Sequence, residues 1–173
     1  MRIILAHGAS GSAASMRPQV DGLLARGIEA AAIDLPVRKA ESAVEAYRTA
    51  AGLATDEPPA SVIGGQSYGG RVASLLAALP GAPIHGLVLL SYPLHRPGEP
   101  AWDTRTLHWP AITVPVLLLS GGSDPFARVD LLRRAVAERL PSASLVTYPG
   151  LGHTLKPVLE DALDRVAEFV RTC

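Results

Sequence analysis

Six short apolar runs punctuate the chain: Ile3–Ala6, Ala30–Asp34, Ser61–Gly64, Gly86–Ser91, Val114–Ser120 and Ser144–Tyr148. Most are continuous rather than alternating, the pattern of strands covered by helices on both faces of a parallel sheet. Between the runs, apolar residues recur at helical spacing. Met16, Val20, Leu23 and Leu24 form one stripe, and Ala40, Ala43, Val44 and Tyr47 a second. Val72, Leu75, Leu76 and Leu79 form the third, and Val129, Leu132, Val136 and Leu140 the fourth. Leu159, Ala162, Leu163, Val166 and Phe169 form the last. Each stripe occupies one face of a 3.6-residue period. This alternation predicts a single α/β domain over residues 1–173, a three-layer sandwich. Its six parallel strands are expected in the order 2-1-3-4-5-6, joined by right-handed crossovers.

The alternation breaks once. From Tyr92 to Thr113 there are four prolines (Pro93, Pro97, Pro100 and Pro110), two tryptophans and two histidines, with little periodicity. A long irregular crossover of this kind is often functional. It leaves the C-terminal edge of the sheet, where ligands bind in open α/β folds. Tyr92 and Trp109 are therefore expected to wall a substrate site, their rings suited to an apolar acyl or alcohol moiety. The alternative is that the segment covers a sheet face that lacks a helix, with Trp102 and Trp109 as core.

Composition narrows the partners. Hydrophobic residues make up 48% of the chain and charged ones 18%, as a globular protein with a large core requires. Sixteen basic residues balance sixteen acidic ones, and no polybasic run occurs, which argues against nucleic acid or an anionic membrane as partner. Cys173 is the sole cysteine, so no intramolecular disulfide forms. The stretch Ile3–Ala6 after Arg2 is too short for a signal-peptide core, and a cytoplasmic location is expected. His95 and His108 lack metal-ligand spacing, so neither metal nor cofactor is expected.

Residues Gly65-Gln66-Ser67-Tyr68-Gly69 read G-x-S-x-G between the third apolar run and the third helical stripe. A serine in such a strand-to-helix turn stands above the sheet edge, and only small residues fit beside it. The next helix aims its free N–H groups and positive dipole end at the same spot. Asp124 follows the fifth run and His153 the sixth. Parallel strands put all three residues on one edge, in the chain order Ser, Asp, His. The expected roles give the Ser67 proton to His153 and leave Asp124 to fix the imidazole tautomer. Oxyanion donors are expected at the N–H groups of Tyr68 and Ala9, with Ser10 beside Ala9 as a substrate contact.

Plainer roles stand beside these. Ser67 is also a candidate helix N-cap, and Asp124, followed by Pro125, a candidate cap of the next helix. The glycines flanking Ser67 favour the strained turn, and the loop after the fifth run favours Asp124 as the acid. Asp34, Asp103 and Asp130 are the competing carboxylates. For His153 the alternative is a surface loop histidine, whereas His7 reads as a structural loop residue. A dinucleotide site is disfavoured, because Gly8 and Gly11 supply only part of G-x-G-x-x-G and no Gly-Lys-Ser/Thr exists.

The run Gly65–Ala73, with His7-Gly8-Ala9 before it and Gly122-Ser123-Asp124-Pro125 and Gly152-His153 after it, resembles the α/β-hydrolase superfamily. More narrowly, Tyr92–Gly98, Val114–Leu117 and Asp124-Pro125-Phe126 are similar to a compact group that includes animal testis-expressed hydrolase-like proteins and a chromatin-complex subunit. In size the chain also resembles dienelactone hydrolases, with Ser67 rather than cysteine as nucleophile. The resemblance implies a minimal fold without the superfamily's usual first two strands and without a cap domain. It implies a shallow, open site and hydrolysis of small esters or thioesters through an acyl-Ser67 intermediate. The alternative it carries is a non-catalytic interaction protein on the same scaffold.

Overall fold

The computed structural model describes residues Met1–Cys173. Six strands form one sheet: β1 (Arg2–Ala6), β2 (Glu29–Ile33), β3 (Ser61–Gln66), β4 (Gly86–Leu90), β5 (Val116–Gly121) and β6 (Ser144–Tyr148). All pairs are parallel and the order is β2-β1-β3-β4-β5-β6, as the apolar runs predict. Four helices lie between strands, α1 (Arg17–Ala25), α2 (Val44–Ala50), α3 (Tyr68–Ala77) and α4 (Val129–Arg139), and α5 (Leu159–Thr172) follows β6. No helix is long and apolar enough to cross a membrane.

The strands are continuous apolar runs because both faces are covered, and the side chains still alternate between two cores. Ile4, Ala6, Ile63, Leu87, Leu89 and Leu118 face one side, where they pack with Tyr47 of α2, Val72 and Leu76 of α3 and Leu132 of α4. Ile3, Leu5, Val62, Val88, Leu117 and Leu119 face the other, against Leu23 of α1 and Leu163, Val166 and Val170 of α5. Each fully buried side chain of this size contributes roughly 1.5–3 kcal/mol relative to exposure. The central strands β4 and β5 are wholly buried, while β2 and β6 at the edges are only partly so. Arg2 closes the N-terminal end of the sheet by donating from Nε to Ser61 Oγ (3.1 Å) and from Nη2 to Ala51 O (2.7 Å). The opposite edge is left to the loops that leave the strands.

Candidate active site

The turn between β3 and α3 is forced by contacts on both sides. Ser67 has φ 50° and ψ −112°, a conformation L-residues rarely adopt. It is held there by its own N–H, which donates to Leu90 O (2.8 Å), and by the Gly69 N–H, which donates to His7 O (3.1 Å). A Cβ on Gly69 would lie 2.5 Å from Ala6 O, so only glycine lets α3 begin so close to β1. The Ser67 side chain makes no capping bond to α3, which sets aside the N-cap role.

Two further loops are drawn together above β5 and β6. Gly122 N–H donates to Tyr148 O (2.7 Å) and Ser123 N–H to Leu151 O (2.9 Å). A Cβ on Gly121 would collide with the carbonyl oxygens of Leu151 and Gly152, so the two loops meet only because residue 121 has none. Asp124 is thereby brought beside His153. The loop after β4 adds a third anchor. His95 N–H donates to Phe126 O (2.9 Å), and its Nε2 accepts the Arg128 N–H (3.1 Å) while Nδ1 donates to Arg96 O (2.8 Å).

The result is a continuous relay. Ser67 Oγ lies 2.9 Å from His153 Nε2, and His153 Nδ1 lies 2.7 Å from Asp124 Oδ2. The Asp124 side chain is fully buried, and that of His153 is 26% exposed on the solvent side. Asp124 Oδ1 accepts the Phe126 N–H (2.8 Å), so both carboxylate oxygens are partnered and the acid cannot swing away. With the carboxylate accepting, Nδ1 carries the imidazole proton and Nε2 is free to take one from Ser67. The Phe126 ring packs on the imidazole at 4.5 Å. Asp124 does not cap α4, whose N-cap is Arg128. The competing carboxylates lie elsewhere: Asp34 accepts the Ala13 N–H, Asp130 pairs with Arg128, and Asp103 sits exposed at a short 3-10 turn. His7 is a buried structural residue, donating from Nδ1 to Gly8 O (2.7 Å) and accepting the Leu35 N–H at Nε2 (3.0 Å).

Ser67 opens into a cleft of about 430 Å³ lined also by Ala9, Tyr68, Arg38, Lys39, Arg71, Pro93, Arg105 and Phe126. Ala9 N–H donates to no group of the protein, and Tyr68, as the first residue of α3, has an N–H without an intrahelical acceptor. The Tyr68 hydroxyl turns away, donating to Pro36 O (2.8 Å).

Three sequence expectations change here. Ser10 is exposed and lies outside the cleft lining. Tyr92 and Trp109 are wholly buried and do not wall the site. They stack edge to face at 5.1 Å within the core, and the Tyr92 hydroxyl donates to Arg105 O (2.6 Å). Aromatic rings in a segment without periodicity carry no directional signal, and here the core claimed them. The crossover reaches the cleft through Pro93 and Arg105 instead. Sequence reasoning missed the cations. Arg71 alone carried a signal, standing one helical turn after Ser67 and thus on the same face of α3.

A second serine–histidine contact lies beneath the cleft. Ser74 Oγ donates to Arg71 O (2.8 Å) and accepts from His108 Nε2 (2.8 Å). Burial first, and the Arg71 charge second, push the His108 imidazole down to about 4, against a smaller opposing pull from Glu41. Ser74 is fully buried and meets no substrate. No group of three His, Cys, Asp or Glu side chains stands together as metal ligands would.

Known proteins of this shape are plentiful. The ferulic-acid complex of Est1E from Butyrivibrio proteoclasticus superposes with a TM-score of 0.81 at 18% identity, covering 99% of this chain and 89% of that one. The Pyrococcus furiosus esterase Pf2001 gives 0.80 at 18% identity, with 99% and 80% covered. A dienelactone hydrolase from Anabaena variabilis gives 0.76 at 21% identity, with 97% and 84% covered. No curated protein matches the sequence. At such identities the likeness shows the fold: an α/β-hydrolase sheet without a cap. The alpha/beta hydrolase domain family matches residues 1–171, and the chain belongs to that family.

Proposed function

We propose that this protein is a serine hydrolase that cleaves small carboxylic esters or thioesters through an acyl-Ser67 intermediate. The observation that carries the reading is the Ser67–His153–Asp124 relay, with separations of 2.9 and 2.7 Å and a buried acid. In it His153 Nε2 takes the Ser67 proton as Oγ attacks the carbonyl carbon. Oxyanion charge is met by the N–H groups of Ala9 and Tyr68, each such donor being worth about 3–4 kcal/mol of barrier. His153 then protonates the leaving alcohol or thiol. Water, activated by the same imidazole, frees the acid. The uncapped cleft of about 430 Å³ favours short acyl groups over long lipid chains. Family membership and the esterase neighbours support hydrolysis.

The test combines a fluorophosphonate probe with short acyl esters and thioesters, on wild type and Ser67→Ala. The expected result is stoichiometric labelling and turnover in the wild type, both absent in the variant. An unlabelled wild-type protein would overturn the reading.

A further inference from the structure

We infer that the substrate of the Ser67 site carries an anionic oxygen group, carboxylate or phosphate, held by Arg71 and Arg105; this rests on the serine-hydrolase reading and narrows its substrate class. The cleft gathers Arg38, Lys39, Arg71 and Arg105 around the serine, against a single carboxylate, Glu41. The chain as a whole is neutral, with sixteen basic and sixteen acidic residues, so the concentration is local to the site. Elsewhere on the surface, cations commonly sit one helical turn from a partner, as Arg134 does with Glu138 and Arg165 with Asp161. Those are solvated faces. In the cleft Arg38, Lys39 and Arg105 have no carboxylate within ion-pair reach, and Arg105 donates from Nη1 only to Pro93 O (2.8 Å).

Arg71 is the most telling. Its Nη2 donates to Glu41 Oε1 (2.8 Å), while its Nε is buried without any acceptor. A buried guanidinium donor left unmade is costly. Arg105 is half-buried beside it, and burial followed by the Arg71 charge holds the Arg105 guanidinium below its ordinary range. Beyond those single contacts to Glu41 and Pro93, two like charges crowded in a partly desolvated cleft repel each other. They are satisfied when an anion enters, since the guanidinium fork matches carboxylate and phosphate oxygens. Glu41, more than half exposed, pairs with Arg71 as an internal stand-in until the substrate displaces it.

Two ester pairs differing only in charge test this. 4-Nitrophenyl hydrogen adipate against 4-nitrophenyl methyl adipate places the anion on the acyl side. 4-Acetoxybenzoate against its methyl ester places it on the alcohol side. The expected result is a preference of about tenfold or more in kcat/KM for the anionic member of at least one pair, shrinking as salt is raised. Arg71→Gln and Arg105→Gln should each cut that preference several-fold, and Glu41→Gln should increase it. Turnover of the neutral member reports folding and catalysis in every variant. Protein that labels with the fluorophosphonate but shows no anionic preference, or turns over neither anionic ester, overturns the inference while the hydrolase reading stands. Protein that fails to label overturns the reading itself.

Discussion

Asp124 has no spare oxygen: Oδ2 holds His153 and Oδ1 accepts from Phe126 N–H. Asp124→Asn preserves size but places an amide donor where one of the two oxygens accepts. Keeping the loop bond turns that donor on Nδ1 of His153 and favours the wrong tautomer. The expected outcome is a fall in kcat of about 10⁴ with little change in melting temperature. A fall below tenfold would show that His153 is oriented by other means. Asp124 and His153 were legible in the sequence because each lies in the short loop after an apolar run, and a parallel sheet fixes which edge such loops reach. Ser67 was legible because its glycines have one use. The cations were not. Arg38, Lys39, Arg71 and Arg105 are ordinary surface residues by type, and only the third dimension shows that they converge.

The crossover between β4 and β5 illustrates what periodicity cannot reach. Its prolines announced an irregular path, yet nothing in the order of residues said which way Tyr92 and Trp109 point. The structure spends them on the core, over α3 and beside β4. Trp109→Ala should therefore cost about 3–5 kcal/mol. At this chain length that lowers Tm by roughly 6–20 °C. The loss of activity should be equal for short and long acyl esters, measured below the new melting point. A loss graded by chain length in a stably folded variant would return the residue to the substrate wall. The β3–α3 turn makes a sharper case. Gly69→Ala sets a methyl 2.5 Å from Ala6 O, and the backbone of β1 cannot yield without disturbing the sheet. Labelling of Ser67 should be lost in any Gly69→Ala protein that can be purified, even where far-ultraviolet dichroism is retained.

Taken as a body, the protein carries a built-in sensitivity to acid. Its folded-state His108 titrates at about 4 rather than near 6.5, through burial and the neighbouring Arg71. Between those values the unfolded chain binds a proton that the folded one refuses. Stability from this group is intact above pH 6.5 and is lost as the pH falls through about 4. His108→Gln keeps a donor for Ser74 Oγ without the titration. Melting curves from pH 7 to pH 4 should fall less steeply for the variant than for the wild type. Parallel slopes would remove His108 as the cause.

The relay joins residues 86 and 29 positions apart in the chain. During synthesis this spacing has a consequence for the ribosome and everything near it. A nascent chain that ends after β5 already displays Ser67, yet it has no imidazole to take the proton and no loop to seat Asp124. Until His153 emerges and the sixth strand docks, the Ser67 hydroxyl lacks its imidazole partner. On the proposed serine-hydrolase reading, reactivity towards esters would therefore arrive only with completion of the fold.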